Sequence, residues 1–255
     1  MYKKYFVWNF DDGLEQDKKI IEILKEFGMG ATFNLNSGLY GDKTMIGRVG
    51  DMGFYEGPPH QYDLKKRHLL KYVPHFRIPE DELLQVYEGF EIASHTLTHK
   101  NLKKISSAEA EREITEDVAN LTSKFHQEIT GFAYPYGMRN DNVLSILKQC
   151  GITYARTASA AKSFSFPQDP MVTNLTCWHI LPKTFSTLDR FFNAEAETED
   201  LFFLMFAHGY EFDFNTKNSS WDQLKRICES VAAHDDIICC STGEAIREHI
   251  AQKRN

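Results

Sequence analysis

The chain has 255 residues, of which 42% are hydrophobic, 13% aromatic and 25% charged: enough apolar material for one large domain, and ordinary charge for a globular protein. Its formal net charge of −7 argues against a general binder of nucleic acid or of anionic membranes, which need a basic face. Cys150, Cys177, Cys228, Cys239 and Cys240 are odd in number and fall in no regular framework, which favours a reducing compartment. The start, Met1-Tyr2-Lys3-Lys4, does not read as a secretory leader, and no apolar run is long enough to span a bilayer. The expectation is a cytoplasmic protein.

In chain order, Tyr5-Phe6-Val7-Trp8-Asn9-Phe10 predicts a strand ending at Asp11-Asp12-Gly13. Ile20, Ile21, Leu24 and Phe27 mark one face of a helix that stops at Gly28, and Ala31-Thr32-Phe33-Asn34-Leu35 reads as a second strand. Residues 41–89 are punctuated by glycine and proline and lack an apolar period, so they read as an insertion on one face of a single domain, 1–255. Its histidines, His60, His68 and His75, read as solvated loop residues able to line a cleft. Phe90-Glu91-Ile92-Ala93-Ser94 predicts a strand ending at His95-Thr96-Leu97-Thr98-His99.

From Ser107 an amphipathic helix carries Ile114, Val118, Leu121 and Phe125 on one stripe, with Ser106 or Ser107 as its cap. Strands are predicted at 131–134 and 152–155, separated by a short helix through Val143, Leu144 and Leu147. Pro167 and Pro170 mark a loop before 171–180. The most continuous apolar run, 201–207, ends at His208-Gly209, and a helix over 221–231 and a strand over 237–241 close the chain. Repeated strand-then-helix units imply a parallel sheet, most simply closed into a barrel.

Two of these strands deliver polar residues at their carboxyl ends, where parallel α/β folds build sites. Two imidazoles four positions apart can turn to one point, and neutral imidazole is the commonest zinc ligand. A carboxylate brought in from elsewhere completes three protein ligands and leaves a position for water, as in a hydrolytic rather than a structural centre. The Asp11-Asp12 pair offers one carboxylate for the metal and one for proton transfer. Two histidines and a carboxylate suit Zn2+, and Co2+, Ni2+, Mn2+ or Fe2+ also fit the donor set.

Asn9-Phe10-Asp11-Asp12-Gly13, His95-Thr96-Leu97-Thr98-His99, Phe132-Ala133-Tyr134-Pro135-Tyr136-Gly137 and Leu204-Met205-Phe206-Ala207-His208 occur in that order. In this the chain resembles the polysaccharide deacetylase superfamily (NodB homology, carbohydrate esterase family 4) over most of its length. The resemblance implies a distorted (β/α) barrel of about seven parallel strands. It implies Asp12, His95 and His99 as ligands of one divalent metal, Asp11 as general base, His208 as general acid, and Tyr136 as a backbone donor in an oxyanion hole.

It also implies removal of an N-acetyl group from an amino sugar or glycan. The alternatives are hydrolysis of an O-acetyl ester or a non-sugar amide, or a non-catalytic carbohydrate-binding role. The partner expected is an acylated carbohydrate or small molecule, with no nucleic acid and no membrane.

Two departures stand out. The third motif usually has an arginine where Ala133 stands, which in the family anchors the base aspartate. The fourth usually has an aspartate before a tryptophan, which orients the acid histidine, whereas here Cys177 precedes Trp178. Losing the cation raises the pKa expected for Asp11, and losing the carboxylate lowers that of His208. Arg156, at the end of the strand after the third motif, is the candidate replacement cation, and Glu211 or Asp213 the candidate partner of His208. Trp178 and Phe206 are candidates for an acyl-methyl pocket.

Overall fold

The computed structural model describes residues 2–48, 54–56 and 71–253. The elements are β1 (Lys4–Asp11), α1 (Asp17–Glu26), β2 (Ala31–Leu35), β3 (Lys43–Arg48), β4 (Phe54–Glu56), β5 (Lys71–Phe76), α2 (Leu83–Val86), β6 (Glu91–Ser94), α3 (Ser107–Phe125) and β7 (Gly131–Ala133). They continue with α4 (Asp141–Gln149), β8 (Tyr154–Ala160), β9 (Thr173–Leu175), β10 (Cys177–Trp178), α5 (Thr184–Phe192), β11 (Leu201–His208), α6 (Tyr210–Asp213), α7 (Trp221–Ala232), β12 (Ile237–Cys239) and α8 (Thr242–Lys253).

The main sheet runs β10-β11-β1-β2-β6-β7-β8-β9, with β12 added beside the first half of β1, and every pairing in it is parallel. The ends nearly meet. β9 pairs with β8 and β10 with β11, and Thr176 between them bonds Leu204 through both its backbone N–H and its hydroxyl oxygen, each at 3.0 Å. This is the expected distorted parallel barrel. β1 is buried at every position because both its faces are covered. Phe6, Trp8 and Phe10 join the larger core shared with the helices, while Tyr5 and Val7 join a smaller cluster with Leu204, Phe206 and Tyr154. Among the described residues, no helix is long and apolar enough to cross a membrane.

Several boundaries differ from the sequence expectation. The described part of the 41–89 insertion is not irregular: β3, β4 and β5 form an antiparallel sheet in the order β4-β3-β5, followed by α2. Burial in this region alternates at Val73, His75 and Arg77, so the period of two is present. Only one of those residues is apolar, which hides it from a hydrophobicity scan. Pro74 is tolerated because β5 is an edge strand.

His75 is therefore not a solvated loop residue: it is 3% exposed. His60 and His68 lie outside the described residues. β8 starts later than expected and runs on to Ala160, so Arg156 is within the strand rather than at its end. α5 and α8 were not expected as helices; their buried faces use Thr184, Thr187, Thr242 and Gly243 beside apolar residues. In α3 the buried positions are Ala110, Glu113, Ile114, Asp117 and Leu121, so two acids stand on the stripe while Val118 and Phe125 lie at its margin.

Candidate metal and acyl-transfer site

Alternation along a strand sends adjacent side chains to opposite faces, so Asp11 and Asp12 should diverge. They do not, because Asp12 takes φ 82°, a left-handed conformation that short polar residues tolerate. Both carboxylates line one cavity of about 600 Å3 at the carboxyl ends of the strands. His95, His99, Arg156, Trp178, Phe206 and His208 line it too, as do His75 from the added sheet and Arg77 just after it.

The loop 95–99 after β6 is contorted, with Thr96 at φ 67° and His99 at φ 57°. Buried polar groups hold it there. Glu113 accepts from the Thr98 N–H at 2.8 Å and from its hydroxyl at 2.6 Å, and the Leu97 N–H donates to the Glu113 carbonyl. Asn36 donates to the carbonyls of His95 and Thr96, and Asp117 accepts from Ser94 and the Ser37 N–H. Glu113→Ala should strand the Thr98 donors and destabilise the fold by about 1–3 kcal/mol, read by urea unfolding. No apolar pattern reveals Glu113 or Asp117. The available signal is two carboxylates, four residues apart, on a helix face that should be greasy.

Donor atoms of Asp12, His95 and His99 lie within 4.8 Å of one another. Their surroundings fit a metal. The His95 Nδ1–H donates to the Ala133 carbonyl at 2.7 Å, which turns the Nε2 lone pair into the site, and buried Nε2 has no hydrogen-bond partner among the described residues. Burial pushes the His95 imidazole down to about 4, so it is neutral and able to ligate at physiological pH. Burial would push the Asp12 carboxyl up. The hydrogen bond from His75 and the nearby His99 and Arg77 outweigh this and hold it well below the usual range.

Asp11 is the register partner of His208 on β11 and of Asn34 on β2. Asn34 donates to Asp11 Oδ1 at 2.8 Å, and the Arg156 Nη2 spans both carboxylate oxygens at 2.6 and 2.5 Å. Burial would raise the Asp11 pKa, but Arg156, with His95 and His208, holds it below the ordinary value. The rise expected from an absent cation does not occur. Ala133 and Arg156 are themselves register partners on β7 and β8, so the guanidinium reaches Asp11 from one strand further round at the same height.

The carboxylate facing His208 is Glu211. Its Oε1 lies 3.2 Å from His208 Nδ1, and its Oε2 accepts from the His208 N–H at 2.9 Å. The same fully buried carboxylate accepts from the Trp178 indole and lies 2.8 Å from His179 Nε2. Asp213 turns away to Gln16 and Trp221. Burial would lower the His208 pKa, yet Glu211 raises it to about 9, opposite to the fall expected without a carboxylate.

Trp178 and Phe206 face each other at 5.8 Å between ring centroids, and the Arg156 guanidinium lies 4.6 Å over the Phe206 ring. Tyr136 and Gly137 form a turn with φ 57° and 67°. Gly137 is required twice over, since a Cβ there would also lie 2.6 Å from the Ala158 nitrogen.

The sequence profile of a family described as polysaccharide deacetylase matches residues 1–155. A poly-beta-1,6-N-acetyl-D-glucosamine N-deacetylase of Staphylococcus aureus is 29% identical over 168 residues, covering 60% of this chain and 48% of the relative. The chain thus spans about half the length of that relative. Among solved structures, a Mycobacterium smegmatis protein named for polysaccharide deacetylases superposes with a TM-score of 0.65 at 14% identity, covering 99% of this chain and 92% of the other. The peptidoglycan deacetylase PdaC of Bacillus subtilis does so with a TM-score of 0.53 at 16% identity, covering 99% and 94%. At such identities these structures show the shared fold. The match over residues 1–155 is more than half of the sequence, and the chain belongs to the polysaccharide deacetylase family.

Proposed function

We propose that the protein is a metal-dependent hydrolase that removes the acetyl group from an N-acetylated amino sugar or glycan. The observation that carries this reading is the pairing of Asp11 with His208 across adjacent strands, lining one cavity with the cluster of Asp12, His95 and His99. Environments that push one titrating group down and its neighbour up separate a base from an acid. Here Asp11 is held low and His208 is raised to about 9, so at neutral pH one is ready to accept a proton and the other to give one.

Asp12, His95 and His99 would hold the metal, with Zn2+ the best match to the donors. Bound there, it supplies Lewis acidity that polarises the acyl carbonyl and acidifies water. Asp11 takes the proton from the attacking water, while Arg156 and Asn34 fix its carboxylate. The Tyr136 N–H donates to the oxygen that gains charge as the carbonyl carbon becomes tetrahedral. His208 delivers a proton to the departing nitrogen, because an amine leaves poorly until protonated. Trp178 and Phe206 receive the acyl methyl.

The test is metal content of the purified chain together with acetate release from a panel of N- and O-acetylated sugars. We expect about one metal per chain, with release abolished by a chelator and restored by Zn2+. Bound metal without release from any acetylated sugar would redirect the site to another amide or to carbohydrate binding, and a chain that takes no metal would overturn the ligand assignment.

A further inference from the structure

The barrel supports the two imidazoles from within, His95 through the Ala133 carbonyl and the 95–99 loop through Glu113 and Asn36. Asp12 is held differently. Its Oδ2 lies 3.1 Å from His75 Nε2, while its Oδ1 lies 3.9 Å from His99 Nε2 and 3.4 Å from Arg77 Nη2. His75 belongs to β5 of the antiparallel sheet, outside the barrel. The two oxygens are thus divided, one facing an imidazole outside the ligand cluster and the other facing the cluster.

We infer that His75 is a positioning residue for the metal-binding carboxylate, so that the added sheet is a working part of the metal centre. The inference rests on the reading of Asp12, His95 and His99 as metal ligands. His75 is itself fixed. Its Nδ1 lies 3.2 Å from the Thr44 hydroxyl on β3, its register partner, and its ring packs edge-on against Tyr210 at 5.1 Å. An ionised carboxylate only accepts, so His75 Nε2 carries a proton directed at Asp12 Oδ2, while the Thr44 hydroxyl, 3.2 Å from both Nδ1 and the His75 carbonyl, anchors the other side of the ring.

A carboxylate engaged at one oxygen cannot swing, and it presents the other oxygen to the ion in one orientation. Left unsupported at φ 82° beyond the end of β1, the Asp12 side chain would sample rotamers that miss His95 and His99. Arg77 is a weaker restraint, with a single long contact to Asp12 and an Nε that has no hydrogen-bond partner among the described residues.

The experiment uses the full chain, stripped of metal and titrated with Zn2+ against a chromophoric chelator. Substituting His75→Phe fills the volume against Tyr210 without a donor, and should raise the Zn2+ Kd about 10- to 100-fold, the usual loss for an outer partner of a metal ligand. If that variant does not fold, His75→Ala makes the same test. His75→Gln, whose amide nitrogen reaches the place of Nε2, should recover most of the affinity.

Loaded with Co2+, the Phe variant should show a shifted visible spectrum, which a purely structural role would leave unchanged. A folded Phe or Ala variant that binds Zn2+ within twofold of wild type, with an unchanged Co2+ spectrum, overturns the role of His75. Wild type that binds no divalent metal overturns instead the site assignment beneath it.

Discussion

Asp11→Asn should lower kcat/KM for acetate release by about 10²–10⁴, the usual worth of a general base, while leaving metal content unchanged. In energy this is about 3–5 kcal/mol of transition-state stabilisation. The substitution is close to isosteric, and Asn34 and the cavity wall stay in place, so a loss reports proton transfer rather than collapse. An unpaired buried guanidinium is nonetheless costly, and a lower Tm should accompany the kinetic loss. The two effects separate, because acetate release is measured at a temperature where the variant remains folded. Because Asp11 is held below the ordinary carboxylate range, it stays ionised through neutral pH, and its titration does not limit the rate there. Retention of more than a tenth of wild-type kcat/KM would remove Asp11 from the base role.

Glu211→Gln should act on the other limb of the pH profile. His208 donates a proton only when charged, so the activity it supports is present below its pKa and lost as pH rises through about 9. At this imidazole burial lowers the pKa, while the Glu211 carboxylate, and after it Asp12 and Asp11, raise it. Removing the Glu211 charge takes away the largest raising influence and lets burial weigh more. The alkaline limb of kcat/KM should move down from about 9 towards the ordinary imidazole value near 6.5. Activity at pH 8 should then fall more than tenfold further than activity at pH 6. Asp213→Asn, whose side chain serves Gln16 and Trp221, should leave the limb where it is. An unmoved limb in the Glu211 variant would show that another group sets it.

The parts of the fold that could be read from sequence are those where burial and apolarity coincide. β1 and β11 are nearly continuous hydrophobic runs, and each ends at residues that line the cavity. Where polar residues face inward, the pattern fails. β5 and the residue after it bury His75 and Arg77, and α3 buries Glu113 and Asp117, so apolar periodicity reveals neither the added sheet nor the support of the 95–99 loop. Glu211 was visible as one of two acids after His208, and only the short α6, which turns Glu211 back beneath the imidazole, separates it from Asp213. The proximity of His179 to the same carboxylate has no counterpart in chain spacing, since the two residues are 32 positions apart.

The pairing of Ala133 with Arg156 means that a place on the barrel rim has two coordinates, depth along a strand and angle around the circumference. Parallel strands in register share depth, and a long guanidinium side chain covers the arc between neighbours. A charge can then migrate sideways from one strand to the next while its point of action stays on the same carboxylate. Along the chain Arg156 stands 23 positions after Ala133; around the ring it stands one strand away at the same depth, and from there it makes its electrostatic contact with Asp11.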